Sequence, residues 1–222
     1  MSINAILFDV YGTLLDVHAL TPILDRLAPG HGAALSALWR QKQIDYTRIR
    51  TLSDRYLPFD RVTADGLDFA CLKLGLDLRS EDRQGLLSAY DALPAHQDAA
   101  EALQNLQGVD LGVLSNGTPT MLDKALRAAR FEQKFRWVLS ADTVGKYKTS
   151  PDVYRLGPQK LGLPANEIAF VSSNAWDAAG AAWFGYRVFW VNRLGEPAEG
   201  LGVAAEYEAK SLAELPAWVR RG

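Results

Sequence analysis

Phe8-Asp9-Val10-Tyr11-Gly12-Thr13-Leu14-Leu15 closes an apolar run that begins at Ala5. The run is short, continuous and ended by a glycine turn, as in a strand buried on both faces of a parallel sheet. Asp9 then stands at the C-terminal end of that strand. In an open α/β sheet, ligands and chemistry gather outside the carboxyl ends of the strands. A carboxylate there can act as a covalent nucleophile. An aspartate after a strand also commonly caps a helix, so the rest of the chain has to decide between the two.

Working outward, three further apolar, β-branched runs read as buried parallel strands: residues 111–115, 168–172 and 187–191. A shorter fifth lies at 137–140. Helical patterns at 119–129, 152–161 and 175–184 separate them. Such alternation predicts an α/β fold: a doubly wound, Rossmann-like parallel sheet with helices on both faces. The interval 16–97 differs. It carries helical periodicity over 33–50, 59–74 and 80–92, punctuated by Gly30, Pro58 and Gly75. A helical block set between the first strand and the rest reads as an insertion above the sheet, where a lid would sit. The expected division is a core of 1–15 and 98–222 with a helical cap subdomain of 16–97. The tail from Glu196, with a short helix over 212–220, carries no chemical signal.

Composition narrows the classes. The chain has 222 residues, 48% hydrophobic and 23% charged, as in a globular enzyme rather than a disordered segment. Lys and Arg number 24 against 26 Asp and Glu, a net charge of −2. That balance gives no electrostatic reason to expect nucleic acid or an anionic membrane as partner. Cys71 is the only cysteine, so no intrachain disulfide can form; it reads as a small hydrophobe on a helix. The N-terminus lacks a basic region, and its apolar run turns polar at Asp9, too soon for a signal peptide or a membrane span. The expected location is the cytoplasm. His18, His31 and His96 lack metal-ligand spacing, and there is no Gly-x-Ser-x-Gly elbow or Gly-x-Gly-x-x-Gly loop.

Three more stretches fall at the ends of predicted strands or before a helix. Ser115-Asn116-Gly117-Thr118 is an Asn-Gly turn whose hydroxyl and backbone N–H groups can hold an anion. Gly145-Lys146-Tyr147-Lys148 precedes Pro151-Asp152-Val153-Tyr154, which opens a helix. Phe170-Val171-Ser172-Ser173-Asn174-Ala175-Trp176-Asp177 is the most specific run. Together with the opening stretch they resemble the four motifs of the haloacid dehalogenase superfamily, over nearly the whole chain from Ile6 to about Arg193. That family's first motif usually reads Asp-x-Asp-Gly-Thr. Tyr11 replaces the second aspartate, the general acid/base of the family's phosphatases, and resembles the L-2-haloacid dehalogenase branch. The fourth motif is similar to the dehalogenase form. Phosphatases place a Gly-Asp or acidic pair where Ser172 and Ser173 stand, so the carboxylates that would bind magnesium are missing. Resembling sequences often carry Pro after the lysine; this chain has Thr149.

The resemblance implies roles. Asp9, with Thr13 beside it, would be the nucleophile, and Lys148 would keep it ionised and oriented, since an opposite charge favours the carboxylate. Lys146 reads as a surface charge. Ser115 would bind the substrate carboxylate. Asn116 and Arg40 would meet the departing halide, with Trp176 as an edge of that cradle; guanidinium carries its charge without a titrating proton. Asp177, Lys148, Ser172 and Asn174 would position or activate water, and either Asp177 or Lys148 could be the base. Tyr11, Ile44 and Phe59 would line the substrate pocket, although plain core packing equally accounts for Ile44 and Phe59. The implied reaction converts a short-chain L-2-haloalkanoic acid to a 2-hydroxy acid with inversion at C2, through an Asp9 ester. No metal or organic cofactor is implied; the partners would be the 2-haloacid, the halide and a second copy in a homodimer. Three other readings stand beside it: a magnesium-dependent phosphatase, a hydrolase opening the ring of a cyclic amino acid, and a binding protein without catalysis.

Overall fold

The structure, a computed structural model, describes residues 2–221. Among these, six strands form one sheet: β1 (Ala5–Phe8), β2 (Asp110–Ser115), β3 (Trp137–Ser140), β4 (Ile168–Ser172), β5 (Arg187–Val191) and β6 (Tyr207–Ala209). Their order is β3-β2-β1-β4-β5-β6, and every neighbouring pair is parallel. β1 is central, with Phe8 opposite Val113 on one side and Val171 on the other. Its four residues are all buried because both sheet faces are covered. Alternation along the strand sends Ile6 and Phe8 into one hydrophobic cluster and Leu7 into the other. The first cluster runs on without a break into Trp39, Phe59 and Tyr90 of the helical block.

That block comprises α1 (Thr21–Leu27), α2 (Gly32–Leu52), α3 (Phe59–Lys73) and α4 (Ser80–Tyr90). The chain enters and leaves it side by side: Asp16 N–H donates to Pro94 O and His96 N–H to Leu14 O, each at 2.9 Å. α5 (Gln97–Asn105) then packs against the turn at 212–214 and the last helix. α6 (Pro119–Ala128), α7 (Pro151–Leu161), α8 (Ala175–Phe184) and α9 (Leu215–Val219) complete the helices. Cys71 is half-buried and packs against the core. No helix among the described residues is long and apolar enough to cross a membrane.

The doubly wound parallel sheet and the helical insertion agree with the sequence reading, with local differences. β1 ends two residues earlier than expected, because the chain leaves the sheet at Asp9 to enter its turn. Gly12, at φ +94°, completes that turn, and its N–H donates to Leu15 O at 2.8 Å. The helix expected over 212–220 is a 3-10 turn, Leu212–Glu214, followed by α9. α1, α5 and β6 were not anticipated.

Candidate active site

The turn after β1, the turn after β2, the loop before α7 and the loop after β4 meet at the carboxyl edge of the sheet. Strand order makes this the crevice between β1 and β4, from which the chain runs on to β2 on one side and to β5 on the other. Asp9 is 6% exposed. Its Oδ1 accepts from Lys148 Nζ at 2.9 Å, and its Oδ2 accepts from Thr13 Oγ1 and Asn174 Nδ2, also at 2.9 Å. Lys148 Nζ donates equally to Asp177 Oδ2 at 2.9 Å. Asp177 is fully buried; Ser172 Oγ donates to its Oδ2 at 3.1 Å and Tyr154 OH to its Oδ1 at 2.7 Å. Two carboxylates thus share one ammonium, and the remaining lone pairs are met by hydroxyls and an amide. Buried charges persist only under such pairing.

The electrostatics follow from this arrangement. Burial pushes the Asp177 carboxyl above the usual range, against the opposing pull of Lys148 and Tyr154. Burial alone would lower Lys148, but Asp177 and Asp9 outweigh it and hold the lysine above its ordinary value. Lys148 is therefore a fixed ammonium. Among the described residues, no three His, Cys, Asp or Glu side chains come together as ligands for a cation.

Above Asp9 lies a cavity of about 20 Å³, walled by Asp9, Tyr11, Arg40, Gln43, Ile44, Thr47, Phe59, Ser115, Asn116, Asn174 and Trp176. α2 supplies Arg40, Gln43, Ile44 and Thr47, which share one helical face at i, i+3, i+4 and i+7. Arg40 Nη2 reaches down to Tyr11 O at 3.3 Å and Asn174 Oδ1 at 3.2 Å. Asn116 Oδ1 accepts from Lys148 N–H at 2.9 Å, which leaves its NH₂ free of that bond. Ser115 is fully buried, and its Oγ accepts from Gly117 N–H at 3.2 Å. The Tyr11 ring packs on Phe59 and Tyr90, with centroids 5.7 and 5.4 Å away. A Cβ at Gly117 would lie 2.9 Å from Tyr11 Cε2, so the glycine makes room for the ring. The Tyr11 hydroxyl is buried without a hydrogen-bond partner among the described residues, and burial keeps it a neutral phenol. Trp176 closes one side, under the Arg48 guanidinium at 5.3 Å.

The residues singled out from sequence thus fall into two layers. Asp9, Tyr11, Arg40, Ile44, Phe59, Ser115, Asn116, Asn174 and Trp176 face the cavity, and Thr13, Lys148, Ser172 and Asp177 lie beneath it. Lys146 points away and pairs with Asp152 at 2.8 Å. Three polar contributors escaped the sequence reading: Gln43, Thr47 and Tyr154. The helical spacing from Arg40 could have flagged Gln43 and Thr47. No local signal marks Tyr154, because an aromatic on an amphipathic helix reads as core.

The model of the haloacid dehalogenase-like hydrolases matches residues 3–185, most of the chain. The chain belongs to that family. Within it, an (S)-2-haloacid dehalogenase of Pseudomonas sp. strain YL is 44% identical, covering 95% of this chain and 91% of that protein. The haloacetate dehalogenase H-2 of Moraxella sp. strain B is 37% identical over 92% of both. Among solved structures, the L-2-haloacid dehalogenase RSc1362 superposes with a TM-score of 0.97 at 45% identity, covering 99% of this chain and all of that one. The L-2-haloacid dehalogenase of Xanthobacter autotrophicus with chloropropionic acid covalently bound has a TM-score of 0.94 at 33% identity, covering 98% of each chain. The fold of this chain therefore superposes on those of these dehalogenases over nearly its whole length, sheet and helical block included.

Proposed function

We propose that this family member hydrolyses short-chain L-2-haloalkanoic acids, haloacetate and 2-halopropionate among them, to 2-hydroxy acids. One observation carries the reading: Asp9 faces a cavity with a cationic Arg40 above it, and its counter-ion lies beneath, out of the cavity. The Asp9 carboxylate attacks C2 from the side opposite the halogen. The carbon–halogen bond breaks, the halide leaves with the electron pair, and C2 is inverted as an ester to Asp9 forms. Arg40, Asn116 and Trp176 receive the halide. Ser115, its neighbouring N–H groups and the unpaired Tyr11 hydroxyl hold the substrate carboxylate, and Ile44 and Phe59 keep water from the displacement.

Water then attacks the carbonyl carbon of the ester. The bond from that carbon to the ester oxygen breaks, the departing alkoxide takes the proton that the base removed from water, the 2-hydroxy acid leaves, and Asp9 returns to the carboxylate as its remaining proton passes to solvent. We assign the base to Asp177. Lys148 holds its proton between two carboxylates and cannot accept another, whereas burial makes Asp177 more basic than an ordinary aspartate. Ser172, Asn174 and Thr13 fix the orientation of this layer. No cofactor enters these steps.

The helical block of 16–97 acts as the cap in this scheme. Ile49, Leu52 and Leu72 stand exposed on its helices, at 59, 86 and 82%, and support pairing with a second copy of the chain. The single cysteine fits a reducing cytoplasm.

The test is halide release from L-2-chloropropionate by chelator-treated protein, with the D-isomer and Asp9→Asn alongside. Release from the L-isomer alone, abolished in the variant, is the expected result. Turnover of a phosphate ester on adding magnesium, with no halide released, sinks the assignment.

A further inference from the structure

Tyr147, immediately before Lys148, is fully buried and is held by the cap through both its main chain and its side chain. Its N–H donates to Thr51 Oγ1 at 3.0 Å, and its hydroxyl donates to Leu57 O. Its ring packs against Tyr56 and Phe59, with centroids 5.1 and 6.0 Å away. The next residue makes only core contacts: Lys148 N–H goes to Asn116, and Nζ goes to Asp9 and Asp177. Adjacent residues therefore hold opposite halves of the molecule. A second tie runs parallel, from Tyr56 OH to Asp142 Oδ1 at 2.5 Å. The same cap segment, between Thr51 and Phe59, delivers Phe59 to the cavity wall and onto the Tyr11 ring.

We infer that Tyr147 is a positioning residue that couples seating of the cap to placement of the Lys148 ammonium between Asp9 and Asp177. With the cap seated, Thr51 and Leu57 fix Tyr147, and Lys148 is held at its reach between the two carboxylates. With the cap displaced, Tyr147 loses both bonds, and Lys148 is left with its core contacts to Asn116, Asp9 and Asp177 alone, without the anchored neighbour that fixes its approach. The charge arrangement needed for attack is thus complete only when the apolar wall is also closed. This rests on the roles given to Asp9, Lys148 and Asp177 above.

The experiment compares wild type, Tyr147→Phe and Thr51→Val in halide release from L-2-chloropropionate across pH. Tyr147→Phe keeps the ring and removes the hydroxyl that bonds Leu57 O and lies beside the Tyr56 hydroxyl, both on the cap side. Its kcat is expected to fall about tenfold, as loss of one positioning hydrogen bond predicts. KM should stay within about twofold, because no substrate contact is touched. The acid limb of the kcat profile should move to higher pH, since Asp177 loses part of its hold on a proton-free state when Lys148 drifts. Thr51→Val, which removes the acceptor of Tyr147 N–H without changing shape, should shift both readouts the same way and serves if Tyr147→Phe fails to fold. A kcat that falls with the fraction folded while the acid limb stays fixed overturns the coupling, as does unchanged kcat in both variants. Wild type inert on the L-acid overturns the dehalogenase reading and the coupling with it, so the two failures are told apart by the wild-type arm.

Discussion

Lys148 serves two carboxylates with one ammonium, so none of the three charges is independent of the others. Replacing it, as in Lys148→Met, leaves Asp9 and Asp177 facing one another without a counter-ion. A loss of about 3–5 kcal/mol in urea unfolding is expected, together with loss of halide release. The pH dependence has a definite sign. Lys148 sits above its ordinary value of 10.5, so its contribution to stability is complete below that pH and disappears as pH rises through the folded value. Melting temperature against alkaline pH should therefore fall more steeply in wild type than in Lys148→Met. Tyr154→Phe removes the 2.7 Å bond that favours ionised Asp177. Burial already favours the protonated Asp177 carboxyl, so the acid limb of kcat should move to higher pH in this variant than in wild type in a pH–rate profile. Asp9, Ser115, Lys148 and Asp177 were legible in the sequence because each follows a strand or precedes a helix in a recognisable run. Tyr154 was not, since its partner stands on another helix and a tyrosine in that pattern looks like packing.

Among the elements, α2 does most to shape the pocket. Its regular turn repeats a single face over Arg40, Gln43, Ile44 and Thr47, so one straight helix brings both charge and apolar wall to the cavity. Ile44→Ala deepens that wall. Halide release should show the kcat/KM ratio of L-2-chlorobutyrate to L-2-chloropropionate rising about tenfold, the scale of one methylene in an apolar pocket. Long elements with a strong pattern were readable: β4, β5 and α8 have the bounds that their apolar runs indicate. Short ones were not. β6 has three residues with only Ala209 buried, and α1 has seven with only Leu24 buried, too few for any period to emerge.

At the scale of the whole molecule, access is the dominant constraint. A cavity of about 20 Å³ has room for about one water, far less than a halopropionate. Substrate entry is therefore expected to need the helical block to shift from the sheet, and the paired connectors at Asp16–Pro94 and Leu14–His96 are where that motion would be absorbed. In Asp9→Asn, which lacks the carboxylate nucleophile, L-2-chloropropionate should slow amide exchange across residues 32–59 and leave β1 and β4 unchanged. Equal protection of cap and sheet would argue against a moving cap. The alternation of strands and helices made the doubly wound core legible from sequence, but how tightly the cap closes depends on side chains meeting across the gap, such as Arg40 with Asn174, that no local pattern encodes.

The strand order also bears on how the protein is made. β1 lies in the middle of the sheet yet is made before every strand it shares that sheet with. Ala5 pairs with Asp110 and Ile168, both of which arrive much later. The helices of the cap, whose contacts are close in sequence, can form during that wait, while β1 stays unpaired along both edges. Open strand edges recruit other chains, so the interval before β4 emerges is when a nascent chain is most prone to aggregate. The nucleophile is in place from the ninth residue, but its lysine and second carboxylate come only with Lys148 and Asp177, so a chain cut short before them is chemically silent.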